Sequence, residues 1–354
     1  MRIPSKIFAA LWLTVALLLS HNTGAVVVDD LHRALVAVED HGNAQLQRGT
    51  RAGLAQVFIK VSGSPTVLSN PELQTALDNA PRYMQRYQYL RAEDDSLQLQ
   101  VHFDPESVNS ILREAGAPLW TANRPPLLVW LVVDDGNGRQ VASAESHPAL
   151  LAGLEQELSR RGVPATFPLY DLQDTLAADV DSLWRLDELA VFRASQRYGV
   201  ANVLVGRMTA LPGDRWMGDW AYLYNQDSSA GSLYGEPAAA YTAGMVDFVA
   251  DRMAGRYAVA ADAQALQVLV RVDDIGAFAD YREVLAYLEG IELVDDAWPA
   301  YLEGNSVVFR LASQADAESL HRILTLNRRL QRQDQVVPLA RGPINLDLVY
   351  RWTP

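Results

Sequence analysis

The residues that could carry chemistry are few and scattered. Gly136-Asn137-Gly138 follows an apolar run and precedes a helical pattern, where a dinucleotide-binding loop would cradle phosphate. The third glycine of that fingerprint is replaced by Val141, so the segment reads as a turn that needs positive φ. Asp134-Asp135 could open a calcium loop, but counting twelve residues from Asp135 puts Ser146 where a bidentate Glu is required. His32, His41, His102, His147 and His321 show no i, i+4 pair of the metalloprotease kind, and no cysteine is available for zinc. No Gly-x-Ser-x-Gly elbow occurs, and Ser62 and Ser64 flank a glycine in a Pro-containing turn. The doublets Asp273-Asp274 and Asp295-Asp296 could pair for glycoside hydrolysis, yet an acidic chain carries many solvated carboxylates. The expectation is therefore a protein without catalytic residues, cofactor or metal.

The most specific pattern is aromatic. At strand period, Trp216, Gly218, Trp220, Tyr222 and Tyr224 share one face, opposite Met217, Asp219, Ala221, Leu223 and Asn225. Trp216, Trp220, Tyr222 and Tyr224 form the candidate binding surface, a platform for glycan rings or for a partner's strand or helix. The competing reading, favoured by how such rows usually serve, is a core strand roofed by the helix carrying Met245, Phe248 and Val249.

Stepping outward, Arg2 and Lys6 precede the apolar run Ile7 to Leu19, and Thr23-Gly24-Ala25 offers small residues for cleavage before Val26. This is the pattern of a secretory signal peptide over residues 1–25, which predicts a periplasmic protein. No later stretch is apolar enough for a transmembrane helix. Without the leader, 28 basic residues face 43 acidic ones, so the composition argues against nucleic acid and anionic lipid as partners. Lysine occurs only at positions 6 and 60.

The elements that must position these residues fall into three units, 26–121, 122–260 and 261–354. In the first, Leu31 to Val38 predicts a strand or short helix, and Asn43 is placed to cap a helix through Phe58. Asn70-Pro71 opens a second helix, Tyr83 to Leu90 and Leu97 to Phe103 read as an antiparallel pair, and Asp104-Pro105 starts a helix that Gly116 ends. Arg124-Pro125-Pro126 marks a boundary, since it cannot continue either element. Leu127 to Val133 is apolar throughout, the sign of a strand covered on both faces. A helix over Pro148 to Arg161, a strand at Val163 to Phe167, a long helix over Leu183 to Tyr198 and a strand at Asn202 to Met208 follow. An antiparallel meander through Tyr234 and a helix over Ala238 to Arg256 complete the middle unit. The last unit reads βαββα, with a helix over Ala315 to Leu330 and a strand near Ile344 to Tyr350. The fold class expected is α+β and α/β: three small mixed domains, the middle one a layered α/β sheet with an antiparallel extension, the last ferredoxin-like or ACT-like.

Several segments then resemble a known family. Ile59-Lys60-Val61-Ser62-Gly63, Asn70-Pro71-Glu72-Leu73, Gly116-Ala117-Pro118-Leu119-Trp120, Arg124 to Trp130, Phe167 to Leu172 and Trp216 to Trp220 are similar to segments of the proteobacterial domain-of-unknown-function family twenty-sixty-six. That resemblance implies a secreted envelope protein and supplies no catalytic residue. The element order of the middle unit is similar to the amino-terminal domain of the translocation protein TolB and to lipoprotein activators of penicillin-binding proteins, which are binding modules. The combined expectation is a non-catalytic periplasmic binding or accessory protein acting on an envelope component, with a protein partner first and peptidoglycan next. The alternative is a secreted hydrolase of polysaccharide or peptidoglycan.

Overall fold

The computed structural model describes residues 26–92, 95–225, 227–260, 266–326, 329–333 and 345–353; the leader expected at 1–25 lies outside them. The class is mixed α+β, with each of the three main sheets drawn from one stretch of chain.

The first stretch contains β1 (Val26–Val27), β2 (Arg33–Ala37), α1 (Asn43–Ser62), α2 (Pro71–Asp78), β3 (Met84–Arg91), β4 (Leu97–Phe103), α3 (Pro105–Glu114), β5 (Pro118–Leu119) and β6 (Asn123–Arg124). Strands β2, β4 and β3 form an antiparallel sheet in that order, and Leu54, Val57 and Phe58 of α1 are buried with Leu99, Val101 and Phe103 of β4 in one core. The helix starts follow local chemistry. Asn70 accepts from Glu72 N at 2.8 Å, Asp104 accepts from Ser107 N at 2.9 Å, and each is followed by proline. Helix α1 departs from expectation at its start: Gly42 is the cap, no side chain caps it, and Asn43 is already helical.

In the middle stretch, β7 (Leu127–Asp134) is followed by β8 (Arg139–Val141), α4 (Pro148–Arg161), β9 (Ala165–Thr166), α5 (Leu172–Ala177), α6 (Val180–Trp184) and α7 (Glu188–Ser195). Then come β10 (Asn202–Leu211), β11 (Arg215–Tyr224), β12 (Asp227–Glu236) and α8 (Ala238–Tyr257). The sheet runs β12-β11-β10-β7-β8, with β10 and β9 parallel to β7 and the outer pairs antiparallel. Strand β7 is buried on both faces, as its unbroken apolar run requires. Leu127, Val129, Leu131 and Val133 pack under α4 and α8, while Leu128, Trp130 and Val132 pack under α5 to α7. The single helix expected over 183–198 is instead two helices and a 3-10 turn. Leu186 takes a left-handed conformation (φ 54°), and Asp187 caps a fresh helix by accepting from Leu189 N and Ala190 N, both at 3.1 Å. Asp171 and Asp179 cap α5 and α6 in the same way, so a short side-chain acceptor starts each of the three α-helices between β9 and β10.

The last stretch holds β13 (Val259–Ala260), β14 (Leu266–Asp273), α9 (Phe278–Glu289), β15 (Val294–Glu303), β16 (Ser306–Ser313), α10 (Ala317–Leu324), β17 (Leu330–Arg332) and β18 (Leu348–Trp352). The sheet order is β15-β16-β14-β18-β17. The βαββα order is present, and the terminal strand enters its own unit's sheet, parallel to β14 and antiparallel to β17. The helix expected to reach Leu330 stops at Leu324, because Leu330 to Arg332 are drawn into pairing with β18.

The units are not beads on a string. Apolar residues of the first and last form one continuous cluster, and β5 pairs with β13. The link read from sequence as a boundary is a buried hub. Arg124, with no exposed surface, donates through Nε to Thr121 O (3.0 Å), through Nη1 to Arg161 O (3.1 Å) and Gly162 O (2.8 Å), and through Nη2 to Lys60 O (2.7 Å) and Trp120 O (2.8 Å). Its guanidinium also stacks on Trp120 at 4.0 Å. Beside it, Lys60 Nζ donates to Arg33 O at 2.7 Å, Arg161 bridges Asp247 and Asp251 at 2.6 Å each, and Glu292 accepts from Ala122 N at 2.8 Å. Burial pulls the Lys60 ammonium down to about 8, with Arg124 and Arg33 adding to the effect.

Candidate functional site

The aromatic row is set by β11 and covered by α8. Trp220 is 4% exposed and Tyr222 2%, so neither belongs to a binding surface; that part of the candidate platform is corrected to core. The Trp220 ring meets Tyr241 edge-on at 5.3 Å and Phe248 at 5.9 Å, and Gly231 of β12 lies against it so closely that a Cβ there would come 2.6 Å from its Nε1. Tyr222 donates from its hydroxyl to Asn202 Oδ1 at 2.7 Å. Trp216 and Tyr224, at the two ends of the row, are partly exposed. The helix that roofs Trp220 and Tyr222 carries Met245, Phe248 and Val249, as the competing reading of the sequence had it; how far the roof extends toward Trp216 and Tyr224 depends on where α8 lies, which is not a local property.

Tyr224 leads to a groove. Beyond the end of β11, a cavity of about 580 Å³ opens between the middle sheet and α10. Its walls include Pro125 and Pro126, the Gly199-Val200-Ala201 turn into β10, Arg256 and Tyr257 of α8, and His321 and Arg322 of α10. Tyr224 and Tyr257 meet edge-on at 6.3 Å, and the Arg256 guanidinium stacks on Tyr224 at 4.2 Å while pairing with Asp227 at 3.2 Å. Arg322 donates to Ser319 Oγ at 3.0 Å and to Arg256 O at 3.3 Å. His321 shares a 2.8 Å hydrogen bond with the Tyr350 hydroxyl, and burial, with Arg332 nearby, lowers its proton affinity and favours the neutral ring. Burial raises the Tyr257 phenol, so it serves as a neutral ring and hydrogen-bonding group near neutral pH.

A second region breaks the usual rule of burial. Helix α5 is inside out: its acid, Asp174, has no exposed surface, while Leu172 and Leu176 are 75% and 79% exposed. Asp174 is held inward by the Tyr198 hydroxyl at 2.5 Å and Arg197 Nη1 at 3.2 Å. Leu169 just before the helix is equally exposed, and the neighbouring α7 presents Leu189 and Phe192, one helical turn apart. The exposed charges of this segment are mainly acidic: Asp171, Asp179, Asp181, Asp187 and Glu188 against Arg185, Arg193 and Arg197. No helix was expected over Leu172 to Ala177, so this surface was missed; the buried acid that turns the leucines outward is visible only once Arg197 and Tyr198 are placed.

The other sequence candidates are dispersed. Gly136 and Gly138, at φ 93° and 110°, form the β7–β8 hairpin turn, and Asp134 and Asp135 accept from the amides of Gly136 and Asn137. Asp273 is engaged by Arg271 and Ser306, both at 2.6 Å, Asp274 by Arg351 at 3.0 Å, and Asp295 by Gln314 at 2.6 Å. Among the described residues no group of three His, Asp or Glu side chains is arranged to hold a metal ion, and no helix is long and apolar enough to cross a membrane.

Comparison with known proteins gives a match over one part of the chain. No curated protein matches the sequence. Residues 25–121 match the family model of a domain of unknown function, DUF8605, which spans the first sheet, α1 to α3 and the approach to the Arg124 hub.

Proposed function

We propose that this is a non-catalytic accessory or binding protein of the bacterial periplasm that docks a protein partner on the surface formed by α5 and α7. The observation that carries the reading is the reversed polarity of α5, with an acid inside and Leu169, Leu172 and Leu176 outside. Burying one leucine side chain is worth roughly 1.5–3 kcal/mol, so several such residues held in water favour a covering surface. The acidic surround disfavours an anionic membrane and suits a partner segment with basic flanks. The expected leader at 1–25, and the resemblance to family twenty-sixty-six and to the TolB amino-terminal domain, point to the same compartment and to binding. A peptidoglycan platform on Trp216 to Tyr224 has less support, since the middle of that row is core.

The test is site-specific photocrosslinking in intact cells, with a benzophenone side chain at Leu172 or Leu176 and a control at exposed Glu155 on α4. A reproducible protein adduct from 172 and 176, absent from 155, is expected. No adduct, or the same adducts from all three sites, would sink the proposal.

A further inference from the structure

The groove beside Tyr224 is distinguished by its charge. The chain carries 43 acidic residues against 30 basic ones, yet the groove lining includes Arg256, Arg322 and His321 and, among the described residues, no carboxylate. Arg256 has one acidic partner, Asp227, whose side chain is 73% exposed and outside the lining. Arg322 has none within 4.0 Å among the described residues; its field reaches Asp316, the cap of α10, and its two recorded donations go to a hydroxyl and a carbonyl. A guanidinium presents five N–H donors in a planar fork that matches an oxyanion, and a recess bounded by protein strengthens that attraction relative to open water. Around the two cations the walls are apolar or aromatic: Pro125, Pro126, Val200, Leu326, Tyr224 and Tyr257. At about 580 Å³ the space suits a small molecule or a few residues of chain.

We infer that this groove binds an oxyanion, a carboxylate or phosphate group, carried on a ring-like or apolar body, with Arg322 and Arg256 gripping the anion and the tyrosines and prolines packing the body. This site is separate from the α5 and α7 surface and does not depend on it. Arg322 is the principal anchor, because Arg256 is already shared between Asp227 and the Tyr224 ring.

Three probes of one shape test it on the folded protein: benzoate, phenyl phosphate and the neutral benzamide. The readout is the NMR signal of each arginine Nε–H, with Arg256 and Arg322 assigned from Arg256→Gln and Arg322→Gln. Saturable shifts of those two signals with at least one anion are expected, with benzamide at least tenfold weaker and Arg322→Gln lowering anion affinity at least tenfold. Arg91→Gln, at an exposed site on β3, should leave affinity unchanged. The stronger anion identifies whether carboxylate or phosphate is the natural group. Shifts spread evenly over exposed arginines, equal binding of benzamide, binding indifferent to Arg322→Gln, or no saturable shift with either anion would each overturn the inference. If a variant folds poorly, through-bond assignment of the arginine Nε–H signals from the backbone of the wild-type chain replaces it, and the crosslinking result at Leu172 stands or falls separately.

Discussion

Arg124 and Arg322 are the same side chain put to opposite uses. Arg124 has all five of its N–H groups accepted by backbone carbonyls at 2.7–3.1 Å, and its charge is buried. Arg322 is exposed, spends two donors on neighbouring groups of the protein, and leaves the rest to water or to a ligand. The difference teaches how to separate a structural cation from a binding one. Burying a guanidinium is costly unless every donor is matched, so a fully matched arginine is committed to the fold. An arginine with open donors in an acid-free recess costs little to keep and gains only when something anionic arrives.

The sharpest way to break the comparison is to remove Arg124. Arg124→Ala leaves five carbonyls without their donor and a hole beneath Trp120, and should cost about 4–5 kcal/mol in urea unfolding at 25 °C. A loss under 1 kcal/mol would mean that the link between the first and middle units can repack without it. Lysine in its place should not rescue, since an ammonium cannot span acceptors on both sides of a planar fork.

A second, smaller effect reads the same hub through pH. The Lys60 pKa is pulled below its ordinary 10.5 to about 8, so between these values the unfolded chain binds the extra proton and stability rises with pH. The shift corresponds to about 3 kcal/mol across that window. The measurement is the stability difference between the native chain and Lys60→Met from pH 7 to 11, in which the opposing effect of buried tyrosines cancels because both chains carry them. A flat difference would show that the carbonyls of Arg33 and Asp30 hold the ammonium charged despite its burial.

How much of this was legible beforehand follows from which forces are local. Asn70-Pro71, Asp104-Pro105 and the Pro148 to Gly162 helix are written in adjacent residues, and the structure follows them. The break at Asp187 was equally local but masked by an apolar period that continued across it. The hub was not readable as such, because its acceptors come from α1, the link and the end of α4. One signal was present: Arg124 is the only charged residue between Glu114 and Asp134, and a lone charge inside an apolar run must either be matched or mark a site. The groove was out of reach for a related reason. Tyr224, Arg256 and Arg322 are brought together only when α8 ends beside β11 and α10 docks across it.

Gly162→Ala probes how tightly the hub is built, at about 2 kcal/mol. Gly162 closes α4 at φ 64°, where a side chain is strained, and a Cβ would meet Arg124 Nη1 at 2.7 Å and Lys60 Cγ at 2.9 Å. Thermal or urea unfolding checks it, and a neutral result would imply that the Arg124 guanidinium can shift without losing its carbonyls.

The smallest expected effect is the most discriminating. Arg322→Ala should change unfolding free energy by no more than about 0.5 kcal/mol, since an exposed arginine with two modest hydrogen bonds contributes little to the fold. If Arg322→Ala instead destabilised the protein by several kcal/mol, the groove arginine would be a second pin between α8 and α10, through its bond to Arg256 O, and the contrast with Arg124 would collapse. If stability is unchanged and anion binding is lost, the two arginines divide fold from function: one is fully occupied by the protein, the other is held open for what the protein binds.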